Sequence, residues 1–374
     1  PHPDDAAIAH NYGTITLNGG RGNPGGEGGY FLVSAALGDV PHYVEPFCGS
    51  CSTLLCRPHP CNRPYFSETV NDVDGLLVNA IRSLQMSPDA TADAASWQVS
   101  ECDLHARHLA IVNWAAERNF EQLMGDPQWH DARIAGWWLW GQSSWIGGGW
   151  CTGKGPWIVG EDGRITRRPK NDPRPGAKRE RPHLTNGRGV NRPQLREPGT
   201  ADDTHDYHPM TMPELRRWFA YLSARLRHVR ILCGDWTRAV TDGASKILAV
   251  RQGQGPVGIF LDPPYADTAG RCSDIYTHDS ETVAHNVREW CLEYGDDPQR
   301  RIVLAGFEGE HGTALTDAGW TEIEWFTAGH LRGGYAIRNA NGHQQTRERL
   351  WLSPHCMREQ RRHEQVSLFD GGIF

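Results

Sequence analysis

Nowhere does the 374-residue chain approach the about eighteen consecutive apolar residues that a membrane-spanning helix needs, so no such helix is expected. Its polar, Gly-rich first residues lack the charged start and apolar core of a secretory signal, which leads to the expectation of a cytoplasmic protein. The ten cysteines lack the regular spacing of a disulfide framework and fit reduced thiols. Cys48-x-x-Cys51, with Cys56 and Cys61 following, has no second pair at zinc-finger spacing, so a structural zinc is not expected. Gly148 to Lys154 has the form G-x-x-x-x-G-K, but Gly155 stands where a phosphate-binding loop needs Ser or Thr, Pro156 follows, and no strand precedes. That excludes a P-loop.

Charge is scarce in one sense and concentrated in another. The net charge of −7 argues against a generic nucleic-acid binder. Residues 154–197, however, hold twelve Lys or Arg against five acids, a local balance of +7 that leaves −14 for the rest. A basic island on an acidic body is the electrostatic footprint of a polyanion partner. Its Pro and Gly content equally suits a solvated loop. The candidate contacts are Lys154, Arg167, Arg168, Lys170, Lys178, Arg179, Arg181 and Arg188.

The length accommodates two domains or one large α/β domain with an insertion. A strand at Tyr43-Val44 runs into Glu45-Pro46-Phe47-Cys48-Gly49-Ser50, and a second ends at Asn71-Asp72-Val73-Asp74. Leu76, Leu77, Ala80, Ile81 and Leu84 then mark a helix. Strand, Gly-containing turn and strand ending in an acid open a nucleotide-binding α/β fold. Asp72 or Asp74 either meets ribose hydroxyls or caps the helix near Gly75. Helices are expected over 104–124 and 131–146, and Trp137 to Trp150 holds a tryptophan cluster. Most of that cluster reads as core, while its Gly-rich end also suits a loop that stacks on bases. Pro213 opens a helix through Leu226, Val229 to Cys233 is a strand, and Val283 to Tyr294 is a helix ended by Gly295. Late strands fall at Ile302 to Ala305, Thr321 to Phe326 and Arg349 to Leu352. Strands alternate with helices on both sides of an insertion at 87–208, dividing the chain into 1–86, 87–208 and 209–374.

Residues 257–265, Val-Gly-Ile-Phe-Leu-Asp-Pro-Pro-Tyr, form a hydrophobic strand that ends in a carboxylate, two prolines and a ring. The prolines cannot continue the ladder, so Asp262, the Pro263 carbonyl and Tyr265 fall at a sheet edge, where open α/β folds bind ligands. Two acceptors and a flat ring suit an amino group on a heterocycle. Asp-Pro-Pro is also an ordinary turn sequence, with Tyr265 packing against the sheet.

With Tyr43 to Ser50, Asn71 to Asp74 and Asp262-Pro263-Pro264-Tyr265 in this order, the chain resembles the Dam-like adenine-N6 DNA methyltransferases. The resemblance implies an α/β doubly wound, Rossmann-like methyltransferase sheet with a long inserted DNA-recognition module. It implies S-adenosylmethionine as cofactor, S-adenosylhomocysteine as product, no metal, and double-stranded DNA in a bacterial or phage setting, with a monomer as the expected state. Glu45, Phe47, Cys48, Gly49 and Ser50 would form the cofactor turn, Asp72 would meet the ribose, and Asp235 or Trp236 would lie near the cofactor adenine. Asp262, Pro263, Pro264 and Tyr265 would hold the target adenine after it leaves the helix. The Gly-Gly-Lys that the family carries upstream is replaced here by Gly19-Gly20-Arg21 and Gly25-Gly26-Glu27. Two related readings exist: the same fold and cofactor with RNA or cytosine N4 as acceptor, and a nucleic-acid-binding relative without turnover.

Overall fold

The computed structural model describes residues 27–57, 67–97, 100–117, 119–145, 150–178, 211–246, 255–264, 282–324 and 348–357. Seven of its strands form one sheet: β1 (His42–Glu45), β2 (Ser67–Asp72), β5 (Val229–Cys233), β6 (Val257–Leu261), β7 (Arg300–Phe307), β8 (Thr321–Glu324) and β9 (Glu348–Leu352). The order across the sheet is β5-β2-β1-β6-β7-β9-β8. The first five are parallel, and β9 runs antiparallel to both β7 and β8. The remaining strands, β3 (Trp157–Val159) and β4 (Ile165–Arg167), make a separate antiparallel hairpin.

Side-chain alternation along the strands separates two apolar layers, as the period of two requires. Tyr43, Val70, Phe260, Val303 and Ala305 face one layer; Val44, Ile259, Leu261, Ile302 and Leu304 face the other. The second layer is completed by Trp236, Val240, Val287, Cys291 and Leu315, and so by helices Thr237–Val240, Val283–Tyr294 and Ala314–Asp317. The first takes helices Glu27–Leu37, Gly75–Met86 and Met212–Leu226. Helices thus cover both faces of a mostly parallel sheet. This is an α/β fold, Rossmann-like in kind, whose strand order reverses between β1 and β6.

Helices Pro88–Ala95, Glu101–Ala116 and Ala132–Ser144 also join the first layer, through Ala92, Ala95, Ile111, Trp114, Ile134, Ala135 and Leu139. The apolar surface of the inserted stretch is therefore continuous with that of the sheet. Trp138, Trp140 and Trp145 are buried, as a core reading of the tryptophan cluster requires. Helix Met212–Leu226 starts with Pro213 in its first turn and with Glu214 reaching back to accept the Thr211 N–H at 2.7 Å. Among the described residues, no helix is long and apolar enough to cross a membrane.

Besides the short helices Ser52–Cys56, Thr237–Val240 and Ala314–Asp317, three further elements were not expected from the sequence. Helix Glu27–Leu37 emerges from a Gly-rich stretch and buries Val33, Ala36 and Leu37 at helical spacing. Helix Pro88–Ala95 is short and weakly apolar, and its contacts with Ala132–Ser144 hold it in place. The β3–β4 hairpin sits inside the basic island.

Candidate functional site

The strand ends place four parts of the predicted site on one edge of the sheet. β1 stops at Glu45, β2 at Asp72, β5 just before Gly234-Asp235, and β6 just before Asp262. All four run parallel, so these ends share the carboxyl edge, with β1 and β6 flanking the switch point.

Asn71 ties the edge together. Its side-chain Nδ2 donates to the Pro46 carbonyl at 2.9 Å and to the Gly234 carbonyl at 3.0 Å, while its main-chain carbonyl accepts from the Cys48 N–H at 3.0 Å. One amide therefore spans the ends of three strands. The Cys51 N–H closes the turn onto the Cys48 carbonyl at 2.7 Å. Gly49 takes φ +43°, and a Cβ added there would meet nothing within 4 Å. Open space lies above that glycine, so a ligand can approach the backbone closely. Cys51 has φ 56°, a left-handed conformation uncommon outside glycine, at the start of helix Ser52–Cys56.

Asp72 fastens this turn to β2. Its Oδ2 accepts from the Gly49 N–H at 3.0 Å and its Oδ1 from the Asp74 N–H at 2.9 Å. Burial pushes its carboxyl up to about 6, against the opposing pull of these backbone bonds. Asp74 is the helix cap, accepting from the Leu76 N–H at 2.8 Å. Of the two acids left open by the sequence, Asp74 is therefore the one that caps the helix. Asp235 makes a local turn before helix Thr237–Val240, its Oδ1 accepting from the N–H and hydroxyl of Thr237. Trp236 packs behind Phe47, with ring centroids 5.9 Å apart, and edge-on to Trp290 at 6.1 Å. Phe47 and Trp236 form an aromatic wall beside the turn. Ser50 pairs its hydroxyl with that of Ser52.

Glu45 lies beneath the turn. It is 2% exposed, accepts from the Tyr43 hydroxyl at 3.0 Å, and takes a further hydrogen bond from the Leu54 backbone. Burial pushes its carboxyl up to about 8; the Tyr43 bond opposes this, and the negative field of Asp262 adds to it. Asp262 and Pro264 are half-buried and Pro263 is buried, whereas Tyr265 lies outside the described residues. Cys48 and Cys51 are free, buried thiols. Among the described residues, no three His, Cys, Asp or Glu side chains gather as a metal site.

The residues at this edge could hold an adenosyl cofactor. A carboxylate offers about four acceptor positions, so Asp72 retains capacity for a ribose hydroxyl beside its backbone bonds. The free space over Gly49 leaves its backbone open to a ligand, and the acids Asp72, Asp74, Asp235 and Asp262 around the edge would suit a cation.

The basic segment is partly structured. In the hairpin, every residue of β4 is exposed, including Ile165 and Arg167. Lys154 and Lys170 are exposed, and Arg168 and Lys178 are half-buried. Two cations brace the fold: Arg174 grips Asp172 and the Val159 carbonyl, and Arg168 donates to the Arg174 carbonyl at 3.1 Å. Arg179, Arg181 and Arg188 lie outside the described residues. His108, which the sequence did not single out, anchors both ends of the described part of the segment. It accepts the Cys151 N–H on Nε2 at 3.1 Å, so Nδ1 carries the proton and donates to the Lys178 carbonyl at 3.2 Å. Burial pushes this imidazole down to about 4, and Trp145 and Trp150 pack against it at 4.5 and 4.9 Å. The Asp74 field reaches the Cys151 thiol, which sets the base of the segment beside the acidic edge. A histidine in a helix with no pattern around it carries no sequence signal for such an anchor.

No protein-family model matches the chain, and no curated protein matches it significantly.

Proposed function

We propose that the protein transfers a methyl group from S-adenosylmethionine to the exocyclic N6 amine of an adenine flipped out of double-stranded DNA. The observation that carries this reading is the junction of two motifs at the switch point. The turn Glu45–Ser50 leaves β1, and Asp262-Pro263-Pro264 leaves β6, its direct neighbour in the sheet. A ligand over Gly49 and a base held by Asp262 would meet across that crevice.

S-adenosylmethionine, when bound, supplies an electrophilic methyl group. The protein's part is positioning and electrostatics. The Asp262 carboxylate and the Pro263 carbonyl accept hydrogen bonds from the adenine amine, which fixes the direction of its nitrogen lone pair. An amine inside a duplex cannot reach the donor, so the base must leave the stack. The basic segment, anchored by His108 next to the acidic edge, supports a duplex partner by holding phosphates near the crevice.

The test is incubation of the full chain with labelled S-adenosylmethionine and unmodified DNA, followed by identification of the modified nucleoside. N6-methyladenine is expected. Label in N4-methylcytosine or only in RNA would change the acceptor, and DNA binding without label would mean a relative that lacks turnover.

A further inference from the structure

Beneath the candidate cofactor turn lie two arginines and a glutamate that solvent scarcely reaches. Glu68 on β2, Arg57 just past helix Ser52–Cys56, and Arg225 in the last turn of helix Met212–Leu226 are 3, 6 and 7% exposed. Arg225 holds Glu68 with both terminal nitrogens, Nη1 on Oε2 and Nη2 on Oε1, the latter at 2.9 Å. Arg57 Nη1 donates to the same Oε1 at 3.4 Å, and its guanidinium lies over the Tyr43 ring at 4.6 Å. Tyr43 in turn donates to Glu45.

A buried ion triad is a poor source of stability, because desolvation offsets most of the attraction and apolar replacements are often as stable. This one has a specific target instead. Leu54, five residues beyond Gly49, is held at both backbone groups. Its N–H donates toward Glu45. Its carbonyl accepts from Arg225 Nη2 at 3.0 Å and from the Arg57 N–H at 3.3 Å. A five-residue helix cannot hold its own shape, since nucleation costs more than so few internal bonds return. It also follows directly on Cys51, whose left-handed backbone needs external support. That support comes from Arg225, 171 positions away in sequence.

We infer that Arg57, Glu68 and Arg225 are positioning residues for the turn Phe47–Cys51, holding helix Ser52–Cys56 from below so that the Gly49 backbone stays shaped for an adenosyl cofactor. The inference rests on the function proposed above. None of the three touches the cofactor; they act through Leu54.

Three measurements on the full chain separate positioning from stability: thermal unfolding, affinity for S-adenosylhomocysteine, and amide exchange of residues 49–57 without ligand. The variant Arg57→Met/Glu68→Leu/Arg225→Met should unfold at or above the wild-type temperature. It should nonetheless bind S-adenosylhomocysteine roughly tenfold more weakly or worse, as displaced ligating groups do, and its 49–57 amides should exchange faster while the central strands keep their protection. Arg225→Lys keeps the charge but loses the two-pronged grip, and should show the same pattern more mildly. If the triple variant does not fold, Arg225→Lys decides. A folded variant with wild-type affinity and wild-type exchange at 49–57 overturns the inference. If the wild type itself binds no S-adenosylhomocysteine, the methyltransferase reading falls, and the exchange data alone decide whether the triad holds the turn.

Discussion

The carboxyl edge of the sheet and the basic hairpin segment are built in opposite ways. At the edge, acids are pinned by backbone groups: Asp72 by Gly49 and Asp74, Asp74 by Leu76, Asp235 by Thr237 and Glu45 by Leu54. Glu45 and Asp72 are buried enough for their titration to move. In the hairpin segment, Arg167 and Lys170 stand in solvent, while Arg174 and Arg168 are used to brace the loop and His108 holds it at its base. Fixed geometry suits a reacting centre, where a displacement of an ångström is costly. Mobile exposed cations suit phosphates, which bind through charge with little demand on angle. The field of Asp74 reaches Cys151 at the base of the hairpin segment, and the proposed function would use this proximity to bring a cationic cofactor and a polyanionic substrate side by side.

If that division holds, the largest effect comes from the edge. Asp262→Ala should lower methyl transfer by at least about a hundredfold, the scale seen when one preorganised polar contact to a reacting group is lost. DNA affinity, measured by fluorescence anisotropy, should stay close to wild type. Equal losses in both would mean that Asp262 holds the fold or the DNA and not the reacting amine.

A pH experiment comes next. The Glu45 carboxyl is pushed up to about 8 from an ordinary 4.5. The native state therefore keeps a proton that the unfolded chain releases, and stability falls as pH rises through that window. The upper end, between pH 7 and 8, belongs to Glu45, because Asp72 and Glu348 are pushed up only to about 6 and about 7. Glu45→Gln mimics the protonated acid, and Tyr43 can reverse its hydroxyl to accept from the new amide. The variant should lose this slope and exceed wild type at pH 8 by up to about 4 kcal/mol. Parallel unfolding-versus-pH curves for the two proteins would place the Glu45 charge in solvent and break the contrast between a buried edge and an open hairpin.

How much of this was legible beforehand follows from local physics. The unbroken hydrophobic run from Val257 to Leu261 and the Asp-Pro-Pro stop marked β6 and its end, because proline forbids continuation whatever the tertiary context. Gly49 and the acid at Asp72 marked the turn for the same local reason. The supports were not legible. Glu68 looks like any polar residue of a strand and Arg225 like any surface cation of a helix, until packing brings positions 157 apart into contact. Arg174 was one of the twelve cations counted in the basic island, and only the folded loop shows it spent on Asp172 and the Val159 carbonyl. Composition reveals where charge collects along the chain, whereas packing decides which charges remain available.

The smallest effect tests that last distinction. Arg167 and Lys170 are exposed, whereas Arg174 is engaged, so the two classes should respond differently to neutralisation. Arg167→Ala with Lys170→Ala should weaken DNA binding several-fold and reduce the slope of log affinity against log salt by roughly 0.9 per lost phosphate contact. Turnover at saturating DNA should change little, because neither cation lies at the reacting edge. Arg174→Ala should instead lower the thermal stability of the segment, since it removes a brace and leaves Asp172 with only the backbone N–H of residue 174. Titrations at four or five salt concentrations, with thermal unfolding of each variant, distinguish the two outcomes. An unchanged slope in the double variant would make the exposed cations a solvated surface and move the DNA contact elsewhere. A flattened slope in Arg174→Ala without loss of stability would show that a cation held by Asp172 can still be traded to phosphate, and the hairpin would then be less fixed than its hydrogen bonds imply.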